Sequence, residues 1–193
     1  MCRNLASLTV SVNRPKIALD LTLYPPLNLC PCVSTKTPLV FKGGLIKTSA
    51  ETASDKFLSG YNCAQAIVWA FAQRVNLDPD AALKIACGFG AGMGRKQEVC
   101  GAVSGGIMAL GLKYGRGEAQ DRTATEETYA KTQELMRRFE AAHGTCSCLK
   151  LLGGCDLTTE AGRAQFKEQD LMRKTCVPCV QTVAALLDQL LPA

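Results

Sequence analysis

The chain has 193 residues, 47% hydrophobic and 20% charged. That is enough for one domain with a real core and too apolar for wholesale disorder. A net charge of +5, one Trp, six Phe and no run of five basic residues exclude the basic footprint and stacking platforms of a nucleic-acid binder. Val99 to Leu112, the uncharged run around the glycines, is shorter than the ~20 residues that span a bilayer, so no membrane span is expected.

Residues 1–47 carry Pro15, Pro25, Pro26, Pro31 and Pro38 and no sustained period. They read as an irregular extension, disordered or assigned from too early a start. Cys30-Pro31-Cys32 is its one feature with chemistry, as a thiol pair or half of a metal site. A helical Cys-rich domain is expected over 48–193. Ser49 to Leu58 reads as a short helix that Ser or Thr can cap and Gly60 ends. Asn62 can cap a second helix, with Cys63, Ala66, Ile67, Ala70, Phe71 and Val75 on one face. Asp78 and Pro79 open a third that runs to Cys87.

Ten glycines fall between Gly88 and Gly117. Gly88, Gly90, Gly92 and Gly94 make a loop of little bulk, and a helix is expected from about Gln97 to Lys113. Gly101 and Gly105, like Ala102 and Gly106, recur four apart and leave a bare face that permits close approach. A long polar helix over 118–142 has Tyr129, Thr132, Leu135, Met136 and Phe139 as its buried stripe, and Gly144 ends it. Cys146-Ser147-Cys148 leads into Leu149 to Leu152, and Gly153 to Asp156 form a turn. Thr158 or Thr159 can cap a helix near Glu160 to Phe166. The last helix carries Cys176, Cys179, Val180, Val183, Leu186, Leu187 and Leu190 on one face. No stretch alternates in polarity over strand length. The expectation is therefore an all-α, single-domain helical bundle with a Gly-rich loop and an irregular N-terminal extension.

Eleven cysteines are far above ordinary usage. In a secreted chain they suggest a disulfide framework. Residues 1–25 lack a signal-peptide progression, with Arg14, Lys16 and Asp20 breaking the apolar stretches, and an odd number leaves at least one cysteine unpaired. A cytoplasmic location is expected, where such cysteines bind metal or do redox work. Cys63, Cys100, Cys148 and Cys176 each fall at or near a helix start. There a sulfur meets free N–H groups and the positive end of the helix dipole, which favour the thiolate and lower its pKa. A metal-bound thiolate gains from the same donors. These cysteines are about 37, 48 and 28 residues apart in sequence, so only the fold can bring them together. Free cysteines also serve as small buried hydrophobes, and the residues alone leave both readings open.

Cys146 and Cys179 form C-x-C and C-x-x-C pairs with Cys148 and Cys176. Such pairs supply metal ligands or a disulfide, but neither has a second pair at zinc-finger spacing. Cys155, on a Gly-rich turn, is a spare ligand. Cys87 reads as core and Cys2 as incidental. His143 precedes Gly144 at a helix end, where the dipole favours a cation. Arg95 and Lys96 read as a solvated loop end. The Gly-rich loop lacks both the P-loop order and the dinucleotide fingerprint.

Gly60-Tyr61-Asn62-Cys63-Ala64-Gln65-Ala66, Gly88-Phe89-Gly90-Ala91-Gly92-Met93-Gly94-Arg95 and Cys100-Gly101-Ala102-Val103-Ser104-Gly105 resemble the cysteine block, glycine loop and C-G-A-x-x-G motif of the redox-active family named C_GCAxxG_C_C. Cys148 before Leu151-Leu152-Gly153 and Cys176 before Val180 resemble its third and fourth cysteines. The likeness runs from about Ser49 to Leu191 and leaves the first 45 residues outside. It implies a compact helical domain with a redox role. A related domain occurs in split-Soret cytochromes c, for which an additional iron–sulfur centre has been proposed. This chain lacks Cys-x-x-Cys-His, so covalent haem is not expected.

Three functional expectations follow. The leading one is an iron–sulfur redox protein, an oxidoreductase or electron-transfer protein, with Cys63, Cys100, Cys148 and Cys176 as ligands and Cys146, Cys155 and Cys179 as further candidates. The second is a thiol–disulfide protein in which Cys100 is the catalytic thiol and another cysteine resolves it. The third is a structural zinc or interaction module. The sequence names no redox partner and is compatible with a homodimer. A chain beginning at Thr48 is expected to keep the thermal midpoint and cofactor content of the full chain. Melting curves and metal analysis of both check this, and a loss on truncation would bring Cys30 and Cys32 into the working protein.

Overall fold

The computed structural model describes residues 47–192. The expected extension, Lys47 apart, lies outside the described residues, and with it Cys2, Cys30 and Cys32. Among the described residues the fold is all-α, and the one β-type pairing is an isolated antiparallel bridge between Val99 and Ser147.

Polar side chains start most of the helices. Helix α1, Ser49–Leu58, begins at Thr48, whose hydroxyl accepts from Glu51 N–H while the Glu51 carboxylate accepts from Thr48 N–H. Helix α2, Cys63–Phe71, repeats this capping box with Asn62 and Gln65. Such a cap is worth ~1 kcal/mol. Asp78 caps α3, Pro79–Ala86, with Pro79 in the first turn. Then come α4, Gly101–Tyr114, and α5, Arg122–His143, which Gly144 ends at φ +81. Ser147 caps the single turn α6, Cys148–Leu151, and Thr159 caps α7, Glu160–Glu168. A wide π-type turn, Met172–Cys176, runs into α8, Val177–Leu190.

Helices α2 and α4 lie side by side at the centre, and the missing side chains of α4 explain how closely. A Cβ on Gly105 would meet the Ala64 carbonyl oxygen at 2.8 Å and Ile67 Cβ at 3.1 Å. One on Gly106 would meet Leu135 of α5 at 2.8 Å and Val183 of α8 at 3.0 Å. The bare face expected from sequence is therefore the packing face. Around it Ile67, Phe71, Val103, Leu110, Phe139 and Leu187 are fully buried, each worth ~1.5–3 kcal/mol against exposure.

Several expectations need correction. Helix α2 stops at Phe71, although its apolar pattern runs to Val75, because the chain turns over 72–76 and closes with Asn76 at φ +54. Gln97 to Val99 are not helical: Gln97 has φ +60, and helix α4 begins at Gly101. Tyr129 is exposed, so the stripe of α5 narrows to Leu135 and Phe139, with Met136 packed at its edge. Cys87 is exposed, since it falls on the 3₁₀ turn that leaves α3. His143 stacks on Phe139, pairs with Thr182 Oγ1 at 2.9 Å, and has its pKa lowered by burial. Its role is packing between α5 and α8 rather than a helix-end cation. No helix among the described residues is long and apolar enough to cross a membrane.

Gly105→Leu is expected to cost ~1–3 kcal/mol, because the obstructing atom is backbone and cannot rotate away. Gly111→Ala, where an added Cβ meets nothing within 4 Å, is expected to hold or gain up to ~1 kcal/mol. Urea denaturation of both variants checks the pair.

Candidate functional site

The starts of α2, α4, α6 and α8 converge on one cavity of about 350 Å³. Five cysteines line it: Cys63, Cys100, Cys148, Cys176 and Cys179. Cys63 and Cys148 are the first residues of their helices and Cys100 caps its own, whereas Cys176, expected near a helix start, ends the π-type turn that continues into α8, with helical φ −69 and ψ −40. Neither α4 nor α8 has a side-chain hydrogen bond at its cap. At α4 a thiol, Cys100, stands where the side-chain-capped helices place an oxygen. Cys179 follows Cys176 by one turn. The four cysteines expected from sequence are thus brought together, and Cys179 joins them. Cys146 and Cys155 are buried but do not line the cavity: the Cys146 thiol points to the Met136 carbonyl and the Cys155 thiol to that of Gly162.

The Gly-rich loop forms one wall. Ala91 to Arg95 all have positive φ, between 50° and 73°, and Gly94 N–H donates to the Gly90 carbonyl at 2.9 Å. This is a turn of left-handed helix, which costs ~1–2 kcal/mol for each residue with a side chain. Ala91, Met93 and Arg95 carry that cost, which clusters at functional sites when the surroundings enforce it. Two close approaches leave no room for a side chain beside it. A Cβ on Gly92 would sit 2.9 Å from Cys148 Cβ, and one on Gly101 would sit 2.5 Å from Cys63 Sγ.

Gln97 locks the parts together. Its buried amide donates to the Cys155 carbonyl at 2.7 Å and accepts from Leu157 N–H at 2.7 Å. Its backbone N–H donates to the Ala91 carbonyl, and its carbonyl accepts from Leu149 N–H. Cys148 N–H donates to the Glu98 carbonyl and Cys100 N–H to that of Cys146. One short bridge therefore fixes the left-handed turn and the starts of α4 and α6. Sequence reasoning missed Gln97 because a polar residue just before an apolar run reads as an ordinary helix start.

Burial and helix-start donors oppose each other at the sulfurs, and burial wins at most of them. Burial and the neighbouring Cys100 push the Cys63 thiol up to about 11, although the N–H groups of Ala91 and Ala64 face it. Burial, with Cys100 and Cys63, pushes Cys148 up to about 12, and the same causes raise Cys176. Burial, with Glu140, takes Cys146 up to about 12. Cys100 alone falls, to about 7, because the Cys179 thiol donates to it; burial opposes this and the N–H groups of Ala102 and Val103 add to it. The donating Cys179 is raised correspondingly. A general depression of all four pKa values, expected from helix dipoles, is corrected here: desolvation of a buried sulfur exceeds the dipole at three of the four.

Among the described residues, no three Cys, His, Asp or Glu are grouped closely enough to hold one metal ion. A tetrahedral zinc with sulfurs at about 2.3 Å needs its thiols about 3.8 Å apart, so this arrangement does not match a mononuclear zinc site. A cluster of several irons spreads its sulfur ligands farther apart than a single ion does. Cysteine sulfur is the ligand type of such a cluster, and N–H groups face two of the sulfurs, Cys63 and Cys100.

The family described as "Putative redox-active protein (C_GCAxxG_C_C)" matches residues 61–190. That span takes in all five cavity cysteines, the left-handed turn and Gln97. No curated protein and no solved structure gives a match. The family match extends over most of the described residues and every cysteine that lines the cavity, and on that ground the chain belongs to the C_GCAxxG_C_C family.

Proposed function

We propose that this chain is a redox protein that holds an iron–sulfur cluster through Cys63, Cys100, Cys148 and Cys176. The observation that carries the reading is the convergence of four sulfurs, three of them at helix starts, on one cavity. A bound cluster supplies one-electron chemistry. The chain's own residues do the rest. Cys100 offers a thiolate near neutral pH, whereas Cys63 and Cys148 are neutral thiols that release protons when they become ligands. The N–H groups of Ala91, Ala64, Ala102 and Val103 face sulfur and favour added negative charge there.

A second reading rests on Cys100 and Cys179 lining the same cavity, with the Cys100 pKa lowered chiefly by Cys179. In thiol–disulfide exchange, the Cys100 thiolate attacks one sulfur of a disulfide substrate and forms a mixed disulfide while the other sulfur leaves as a thiolate. Cys179, losing its proton, then attacks Cys100 and releases the second sulfur. The substrate ends as two thiols and the protein as a Cys100–Cys179 disulfide.

Cys63→Ser, Cys100→Ser, Cys148→Ser and Cys176→Ser should each lower iron content and alter the visible spectrum after anaerobic reconstitution. Cys87→Ser, at an exposed position, should leave both intact. Equal iron across all five variants would sink the four-ligand assignment. In iron-free protein, alkylation of Cys100 should rise through a midpoint of about 7, with Cys63 and Cys148 reacting only toward about 11 and 12. Cys179→Ala should move the Cys100 midpoint upward, as read by mass spectrometry of the alkylated peptides. A midpoint that does not move removes Cys179 from the thiol mechanism.

A further inference from the structure

The cysteines line only part of the cavity. Apolar side chains of Phe57, Leu151, Leu157, Phe166 and Met172 form much of the rest. Three cations also line it, Arg95 from the left-handed turn and Arg163 and Lys167 from α7, and no carboxylate does. These cations stand apart from the rest of the charged surface. Every ion pair found among the described residues lies elsewhere, and none includes Arg95, Arg163 or Lys167.

Arg163 is held in place by its backbone neighbours. One guanidinium nitrogen donates to the carbonyls of Leu157 and Thr158, at 3.1 Å and 2.9 Å. Its electrostatic neighbour Asp156 is engaged by the hydroxyl and N–H of Thr158. The guanidinium is thereby anchored without being neutralised by a contact ion pair. Helix α7 reaches the cavity because Gly162 lies against the Asp156 carbonyl, where an added Cβ would fall at 1.8 Å. That contact fixes the turn from which Arg163 and Lys167 project.

We propose that the cavity is also a binding site for a small organic anion, one with an apolar body and a carboxylate or phosphate head. The apolar body would lie against Phe57, Phe166 and Met172, and the head would meet Arg95, Arg163 and Lys167 beside the thiols. A space of about 350 Å³ is in the size class of small-molecule pockets, which combine apolar walls with a few convergent polar groups. A guanidinium matches the planar geometry of a carboxylate or phosphate, and an ammonium adds a point charge. With free thiols the anion has the whole of this space; with a cluster on the thiols it has only the part beside Phe166, Met172 and the cations. Such a site makes the chain a protein that places a substrate beside its sulfurs, rather than one that only passes electrons.

The test uses the full chain and three probes: 3-phenylpropionate, phenyl phosphate and the neutral 3-phenylpropanol. Calorimetric titration should show at least one of the two anions binding roughly tenfold or more tightly than the alcohol, the scale of one charge-assisted contact. The same anion should shift the Met172 methyl resonance. Arg95→Gln combined with Lys167→Gln spares the Arg163 anchor, and it should weaken the anion roughly tenfold while leaving the alcohol unchanged. Arg116→Gln with Arg122→Gln, on surface away from the cavity, should change neither. Absence of anion binding up to about 10 mM overturns the proposal, as does equal binding of anion and alcohol. Polyglutamate that binds with the same dependence on Arg95 and Lys167, when neither small anion binds, overturns it in favour of an acidic protein partner.

Discussion

Everything at the sulfur cavity depends on how closely α4 can approach α2. Gly101 abuts the Cys63 sulfur and Gly105 abuts the Ala64 carbonyl, so the spacing is set by absent side chains. A methyl at either position would clash with those atoms, so the approach of Cys63 to Cys100 depends on the two glycines. The large buried residues, Phe71, Phe139 and Leu187, supply most of the favourable burial. They do not set the distance between sulfurs. Stability and site geometry thus draw on different residues of the same core.

The second constraint is electrostatic. Bringing several thiols into one poorly solvated space raises the cost of ionising each of them, and every thiolate formed makes the next harder. The arrangement resolves this by giving one sulfur, Cys100, a donor in Cys179 and leaving the others as neutral thiols. It is therefore prepared for one negative charge near neutral pH, and further charge has to arrive with something that compensates it.

Much of this was legible in the sequence, and the parts that were not share a cause. Capped helices announce themselves locally: Thr48, Asn62, Asp78 and Thr159 lie where short-range chemistry puts them. Cys63, Cys100 and Cys148 were visible as helix-start sulfurs, whereas Cys176 lies within a continuous helical run, and the spacing of Gly101 and Gly105 marked a packing face. The left-handed turn was not legible. Glycine at 90, 92 and 94 permits many paths, and Ala91, Met93 and Arg95 give no sign of positive φ. Gln97 was misread for a related reason, since its partners at Cys155 and Leu157 lie about 60 residues away. The exposure of Cys87 and Tyr129 depends on which neighbours happen to cover a face, and periodicity does not state that.

The left-handed turn bears on how the protein folds. Its backbone is unfavourable in isolation, and what holds it is the pairing of Gln97 and Glu98 with the segment that begins α6. Those contacts close a loop of about 50 residues, which is slow to form compared with the helices on either side. The helices and the α2–α4 contact can therefore form while the turn is still free. Closure of the turn then belongs to the native side of the folding barrier, so weakening the Gln97 lock should speed unfolding more than it slows folding. The Cys148 wall of the sulfur site is in that sense completed after the α2–α4 contact that carries Cys63 and Cys100.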